Sequence, residues 1–84
     1  METVFLTFRS ITAAQRGERI LKDANLSPLL QRTPRWMQER GCGYSLRLRA
    51  PVAAQAVALL RQKGSQFVKV YTQNSDGQSR EMAL

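Results

Sequence analysis

Pro34 to Arg49 reads Pro-Arg-Trp-Met-Gln-Glu-Arg-Gly-Cys-Gly-Tyr-Ser-Leu-Arg-Leu-Arg and contains the only cysteine of the chain, Cys42. The sequence has no histidine, so covalent chemistry would have to pass through this thiol. Gly41 and Gly43 flank it, and five arginines (Arg32, Arg35, Arg40, Arg47 and Arg49) stand between positions 32 and 49 against a single acid, Glu39. Positive potential favours thiolate over thiol, and the N–H groups of a glycine-flanked turn add to it. The pKa of Cys42 is therefore expected to fall below the free value of about 8.5. A partly exposed thiolate with no resolving cysteine suits accepting a group and passing it on. It does not suit hydrolysis, because no base accompanies it. The competing reading is a buried cysteine acting as a small hydrophobe, with Trp36 and Met37 as a lid on the core edge and the arginines as solvated surface.

Composition narrows the remaining choices. Eighty-four residues make one domain with a small core, hiding roughly 60 to 65% of the surface of the unfolded chain. Thirteen Lys and Arg against six Asp and Glu give a formal charge of +7, which favours an anionic partner. Ten of the cations are arginine, the side chain suited to bidentate grip on carboxylate or phosphate. One cysteine and no histidine exclude an internal disulfide and a cysteine or zinc cage, so no metal and no cofactor is expected. No secretion signal or membrane-spanning run is read in the sequence. The expectation is a cytoplasmic protein whose lone thiol stays reduced.

The elements that must position Cys42 follow from pattern. Thr3 to Phe8 is rich in β-branched and aromatic residues and reads as a strand. Ser10 or Thr12 can cap a helix over Ala13 to Ala24, with Asn25 as its terminator. Leu26 to Gln31 contains Pro28 and reads as an edge strand. Arg35 to Glu39 has room for one helical turn, and Gly41-Cys42-Gly43 permits unusual backbone angles. Tyr44 to Arg49 alternates, with Tyr44, Leu46 and Leu48 on one side and Ser45, Arg47 and Arg49 on the other. Pro51 opens a second helix that ends at Gly64, and Phe67 to Tyr71 reads as the last strand. Residues 73–84 are expected to be a polar tail or a weak extra strand with a turn at Asp76-Gly77. The fold class is α+β: a ferredoxin-like βαββαβ domain over residues 1–72, with an antiparallel sheet and both helices on one face.

Phe5 to Ser10 followed by a helix, then Thr33-Pro34-Arg35, then Cys42-Gly43 and Leu46-Arg47, resembles the family of small bacterial proteins described as putative selenium/sulfur (Se/S) carrier protein-like. The resemblance reaches to about Tyr71. It implies a persulfide or perselenide held on Cys42, received from a desulfurase-like donor and handed to an acceptor enzyme, so a carrier rather than an enzyme in its own right. Arg35 and Arg47 would stabilise the anion. Pro34, Trp36, Arg40, Gly41, Gly43 and Arg49 would meet the partner. The chain departs from the family pattern at Trp36 to Gly41, where small hydroxyl residues are expected, and this bears on which partner it meets.

Two other functions compete. Arg40-Gly41-Cys42-Gly43-Tyr44 looks like the strand motif of RNA-recognition domains, with Phe5, Phe67 and Tyr71 as stacking faces. Register disfavours that nucleic-acid reading: putting Tyr44 on the open face would bury Arg47 and Arg49 at several kcal/mol each. The other is a regulatory docking module that uses the sheet face to form a dimer.

Overall fold

A computed structural model describes residues 3–33, 43–74 and 76–82. Five strands and two helices follow in the order β1 (Thr3–Phe8), α1 (Ile11–Asp23), β2 (Leu29–Arg32), β3 (Tyr44–Arg49), α2 (Ala50–Gln62), β4 (Val70–Gln73) and β5 (Ser79–Met82). The strands form one antiparallel sheet in the order β2-β3-β1-β4-β5. The chain is thus α+β, but it departs from a simple βαββαβ plan, because a fifth strand extends the sheet beyond β4.

The core follows from the alternation of the strands. Val4, Leu6 and Phe8 of β1, Leu46 and Leu48 of β3 and Val70 of β4 form one buried cluster with Ala14 and Leu21 of α1 and Ala56, Val57 and Leu60 of α2. The two helices pack against each other and against β1 and β3. Five of the six residues of β1 are buried: Val4, Leu6 and Phe8 lie beneath the helices, and Phe5 and Thr7 are buried on the other face. The approach of α1 to the sheet is close at Gly17. A Cβ there would lie 3.0 Å from Phe8 Cζ and 3.3 Å from Leu46 Cδ1.

Both helices are bounded by side chains and turns that the sequence announces. Ser10, in extended conformation, caps α1 by accepting a hydrogen bond from the Ala13 N–H at 3.1 Å. At the other end Asn25 adopts a left-handed φ of 61°. Its N–H donates to Lys22 O at 2.9 Å, and the Leu26 N–H donates to Leu21 O at 3.0 Å. This paired closure is the Schellman arrangement, and buried Leu26 supplies the apolar contact that usually accompanies it. Helix α2, with Pro51 in its first turn, ends the same way. Gly64 has φ 73°, Gly64 N–H donates to Arg61 O at 3.2 Å and Ser65 N–H to Leu60 O at 2.9 Å.

The last strand of the expected plan is displaced. Thr7 N–H donates to Lys69 O at 3.0 Å while Val68 N–H donates to Thr7 O at 2.8 Å, so two residues oppose one and the chain bulges. The remaining Lys69 N–H is taken by Thr7 Oγ1 at 3.1 Å. Regular pairing therefore begins at Val70 rather than Phe67. The bulge lets Phe67 pack on the same core as Val70, which strict alternation over three residues would forbid. After β4, Gly77 N–H donates to Asn74 O at 3.0 Å, and Asn74 Oδ1 accepts from the N–H groups of Asp76 and Gln78, both at 3.0 Å. That turn returns the chain as β5.

Candidate functional site

The hairpin of β2 and β3 carries the candidate segment. In its register Arg32 faces Tyr44 and Gln31 faces Ser45, and beyond β2 the Thr33 N–H donates to Gly43 O at 3.0 Å. That bond closes the described end of the hairpin, between Thr33 and Gly43. Cys42, Pro34, Arg35, Trp36, Arg40 and Gly41, together with the helical turn expected over Arg35 to Glu39, lie outside the described residues. Gly43 is described. It does not use the left-handed backbone region, and a Cβ added to it would meet nothing within 4 Å, so the special angles expected of this glycine are not needed there.

Arg47 and Arg49 stand exposed on the sheet face opposite the helices, on the alternate side from buried Leu46 and Leu48. Arg47 is flanked across the sheet by Leu29, 52% exposed, and by Phe5. Strand rise sets the Arg47 Cα about 13 Å, and the Arg49 Cα about 20 Å, from that of Gly43. Neither arginine is at the mouth of the hairpin.

Arg32 is at that mouth, and sequence reasoning counted it without assigning it to the site. Its guanidinium carbon lies 5.9 Å from the centre of the Tyr44 ring, within cation–π range. Because Tyr44 packs against the helix-side core, Arg32 and Arg47 serve opposite faces of the sheet. The cue that could have found Arg32 was the pairing of β2, which the run Leu26 to Gln31 leaves ambiguous.

The aromatic residues do not assemble into one platform. Phe5 and Tyr71 are directly opposed on β1 and β4, yet they are only 5% and 9% exposed. Tyr44 is on the other face, and Phe67 packs against the helix-side cluster, with the Arg61 guanidinium carbon 5.7 Å from its ring centre.

The profile of the family described as "Putative Se/S carrier protein-like" matches residues 3–72. The chain belongs to this family. The matched region holds β1 through most of β4 and the whole hairpin, while β5 lies beyond it. No curated protein and no solved structure matches the chain. Membership of a carrier-like family points to protein partners in general. Among the described residues no helix is long and apolar enough to cross a membrane.

Proposed function

We propose that this protein is a sulfur or selenium carrier that holds a persulfide or perselenide on Cys42. The observation that carries the reading is the closed rung between Thr33 and Gly43, found in a chain of a carrier-like family. A rung of this kind ties Thr33 and Gly43, the residues that flank the Cys42 segment in the sequence, to the sheet, and functional groups concentrate in segments held by such a scaffold.

In the loading step the Cys42 thiolate attacks the terminal sulfur of a donor enzyme's persulfide. A new S–S bond forms to Cys42, the donor's S–S bond breaks, and its electron pair leaves on the donor's cysteine as thiolate. No net oxidant is required. Delivery reverses the roles: a nucleophile on the acceptor enzyme takes the terminal sulfur and Cys42 departs as thiolate. The selenium case is the same with one atom changed. Arg35 and Arg47 counter the negative charge of the loaded group. Pro34, Trp36, Arg40, Gly41, Gly43 and Arg49 belong to the surface that meets the partner. A desulfurase-like donor and a reducing, cytoplasmic setting complete the proposal. The first six elements are read as a ferredoxin-like unit to which β5 is added.

The test is intact mass spectrometry after incubation with a cysteine or selenocysteine desulfurase and its substrate. The expected product carries one added sulfur or selenium atom, located on Cys42 by peptide mapping and removed by a thiol reductant. Loading that persists in Cys42→Ser, or that never occurs with either donor, overturns the proposal.

A further inference from the structure

Without β5, strand β4 would be the margin of the sheet, since its other side is paired with β1. Val70, Tyr71, Thr72 and Gln73 carry no charge and no proline, and three of the four are β-branched or aromatic. A margin of that composition pairs readily with another strand.

Its backbone is also set for a copy of itself. The Asn74 N–H donates to Gln78 O at 2.9 Å, so by the alternation of an antiparallel ladder the Thr72–Arg80 and Val70–Met82 pairs are the hydrogen-bonded ones. Val70 and Thr72 therefore direct their N–H and C=O groups away from β1. A two-fold axis through Tyr71, perpendicular to the sheet, would set Val70 of each copy opposite Thr72 of the other and bond both pairs. The two Tyr71 residues would then form the non-hydrogen-bonded pair at the centre, where opposed side chains lie closest.

Strand β5 offers no such match on its own outer side. A two-fold register that keeps most of Ser79–Met82 paired must centre on Arg80 or on Glu81, which places like charges directly opposite each other. Little apolar packing holds this strand. Gln78, Ser79, Arg80 and Glu81 are exposed, and no described side chain of β5 joins the buried cluster. It stays in place through its ladder to β4, the Asn74 turn and the open ion pair of Glu81 with Lys69, and an open pair contributes little.

We propose that β5 is a guard strand. It occupies the position at which β4 would otherwise pair with β4 of a second copy, and so keeps the chain monomeric. A second copy is the occupant of the vacated margin because β4 matches itself in hydrogen bonding and opposes no like charges there. The inference goes beyond the carrier reading and does not depend on Cys42.

The experiment is sedimentation equilibrium of the full chain over a range of concentrations, under a thiol reductant so that no Cys42 disulfide supplies the mass, with far-UV circular dichroism to follow folding. The unaltered chain should remain monomeric. Arg80→Pro removes the N–H that faces Thr72, and Gly77→Val forces a φ of 84° on a β-branched residue. Each releases β5 without touching the buried cluster, and each should double the mass as concentration rises. Gly77→Val carries the test if Arg80→Pro does not fold. The register is read in whichever released chain folds. Position 73 would lie opposite Lys69 of the second copy, twice over by symmetry, so Gln73→Glu should tighten the dimer about fivefold and Gln73→Lys weaken it about fivefold. The same two changes at Gln55, exposed on α2, should alter affinity less than about twofold. A folded, released chain that stays monomeric overturns the proposal, as does an unaltered chain that dimerises equally well. Effects at position 73 no larger than those at position 55 overturn it in favour of another interface. A mass that grows without limit overturns it in favour of open-ended association, because a two-fold pairing closes at the dimer.

Discussion

Gly17→Ala tests the packing that holds α1 against the sheet. Two effects oppose each other. Alanine in a helix interior gains about 1 kcal/mol over glycine. Against this, the new methyl would lie 3.0 Å from Phe8 Cζ and 3.3 Å from Leu46 Cδ1. Both neighbours are fully buried in the central cluster, so neither can swing aside and the helix has to lift. Overpacking of this kind costs about 1 to 3 kcal/mol. The clash should win, leaving a net loss of about 1 kcal/mol, or a melting temperature about 5 °C lower for a domain of this size. Urea unfolding followed by far-UV circular dichroism measures it as a lower midpoint at constant slope. Two other glycines calibrate the result. Gly64→Ala meets no atom within 4 Å but must adopt φ 73°, a left-handed strain of about 1 to 2 kcal/mol. Gly43→Ala has neither contact nor a left-handed φ and should gain about 0.5 kcal/mol through the unfolded chain. A midpoint that rises in Gly17→Ala would refute the argument, since it would require α1 to ride farther from Phe8 than it does here.

Other substitutions test the site and its supports. Thr7→Val removes the acceptor of the Lys69 N–H at the β4 bulge while keeping the side chain's shape; a loss of about 1 to 2 kcal/mol is expected in the same unfolding assay. Ser45 is fully buried with no partner for its Oγ, so Ser45→Ala should leave stability unchanged or raise it. A clear drop there would reveal a hydrogen bond that the described residues do not supply. Alkylation of Cys42 by iodoacetamide at pH 7 should outpace that of free cysteine, and equal rates would count against an activated thiol. Arg47→Ala should slow alkylation by less than about twofold in physiological salt, because about 13 Å of strand separates Arg47 from Gly43 and the screening length is about 8 Å. Arg32→Ala, at the hairpin mouth, should slow it more.

What could be read from the sequence was whatever a single residue or a strict period specifies. Ser10 and Asn25 bound α1, Pro51 opens α2, and Gly64 closes it, each through the local chemistry of its own side chain or backbone. The alternation of Tyr44 to Arg49 placed Leu46 and Leu48 in the core and Arg47 and Arg49 outside it. The start of β4 was not legible, because a bulge puts Phe67 and Val70 on one core and conceals the period. Strand β5, Ser-Arg-Glu-Met, has no apolar alternation to announce it. It is held by the Asn74 turn, by ladder bonds to β4, and by an ion pair of Glu81 with Lys69 at 3.1 Å. For the candidate site, Cys42 stood out as the lone thiol, but the division of the arginines between two faces depends on how β2 pairs. Long-range register of that kind is not written in either strand alone.

The same register weighs the competing nucleic-acid reading. A stacking platform on this sheet needs aromatic rings exposed on the face away from the helices. With Leu46 and Leu48 buried beneath α1 and α2, Tyr44 must share their side, as it does, and Arg47 and Arg49 take the face where a stacked base would lie. The aromatic residues that do reach that face, Phe5 and Tyr71, are nearly covered, so a base would have to displace whatever shields them before it could stack. The positive charge on that face remains suited to an anionic surface, which a partner protein can offer without unstacking anything. The bulk of an interaction with nucleic acid would then be backbone charge alone, and such binding should fall steeply with salt and be indifferent to Cys42→Ser. Loading that depends on Cys42 and survives physiological salt is the behaviour of a carrier.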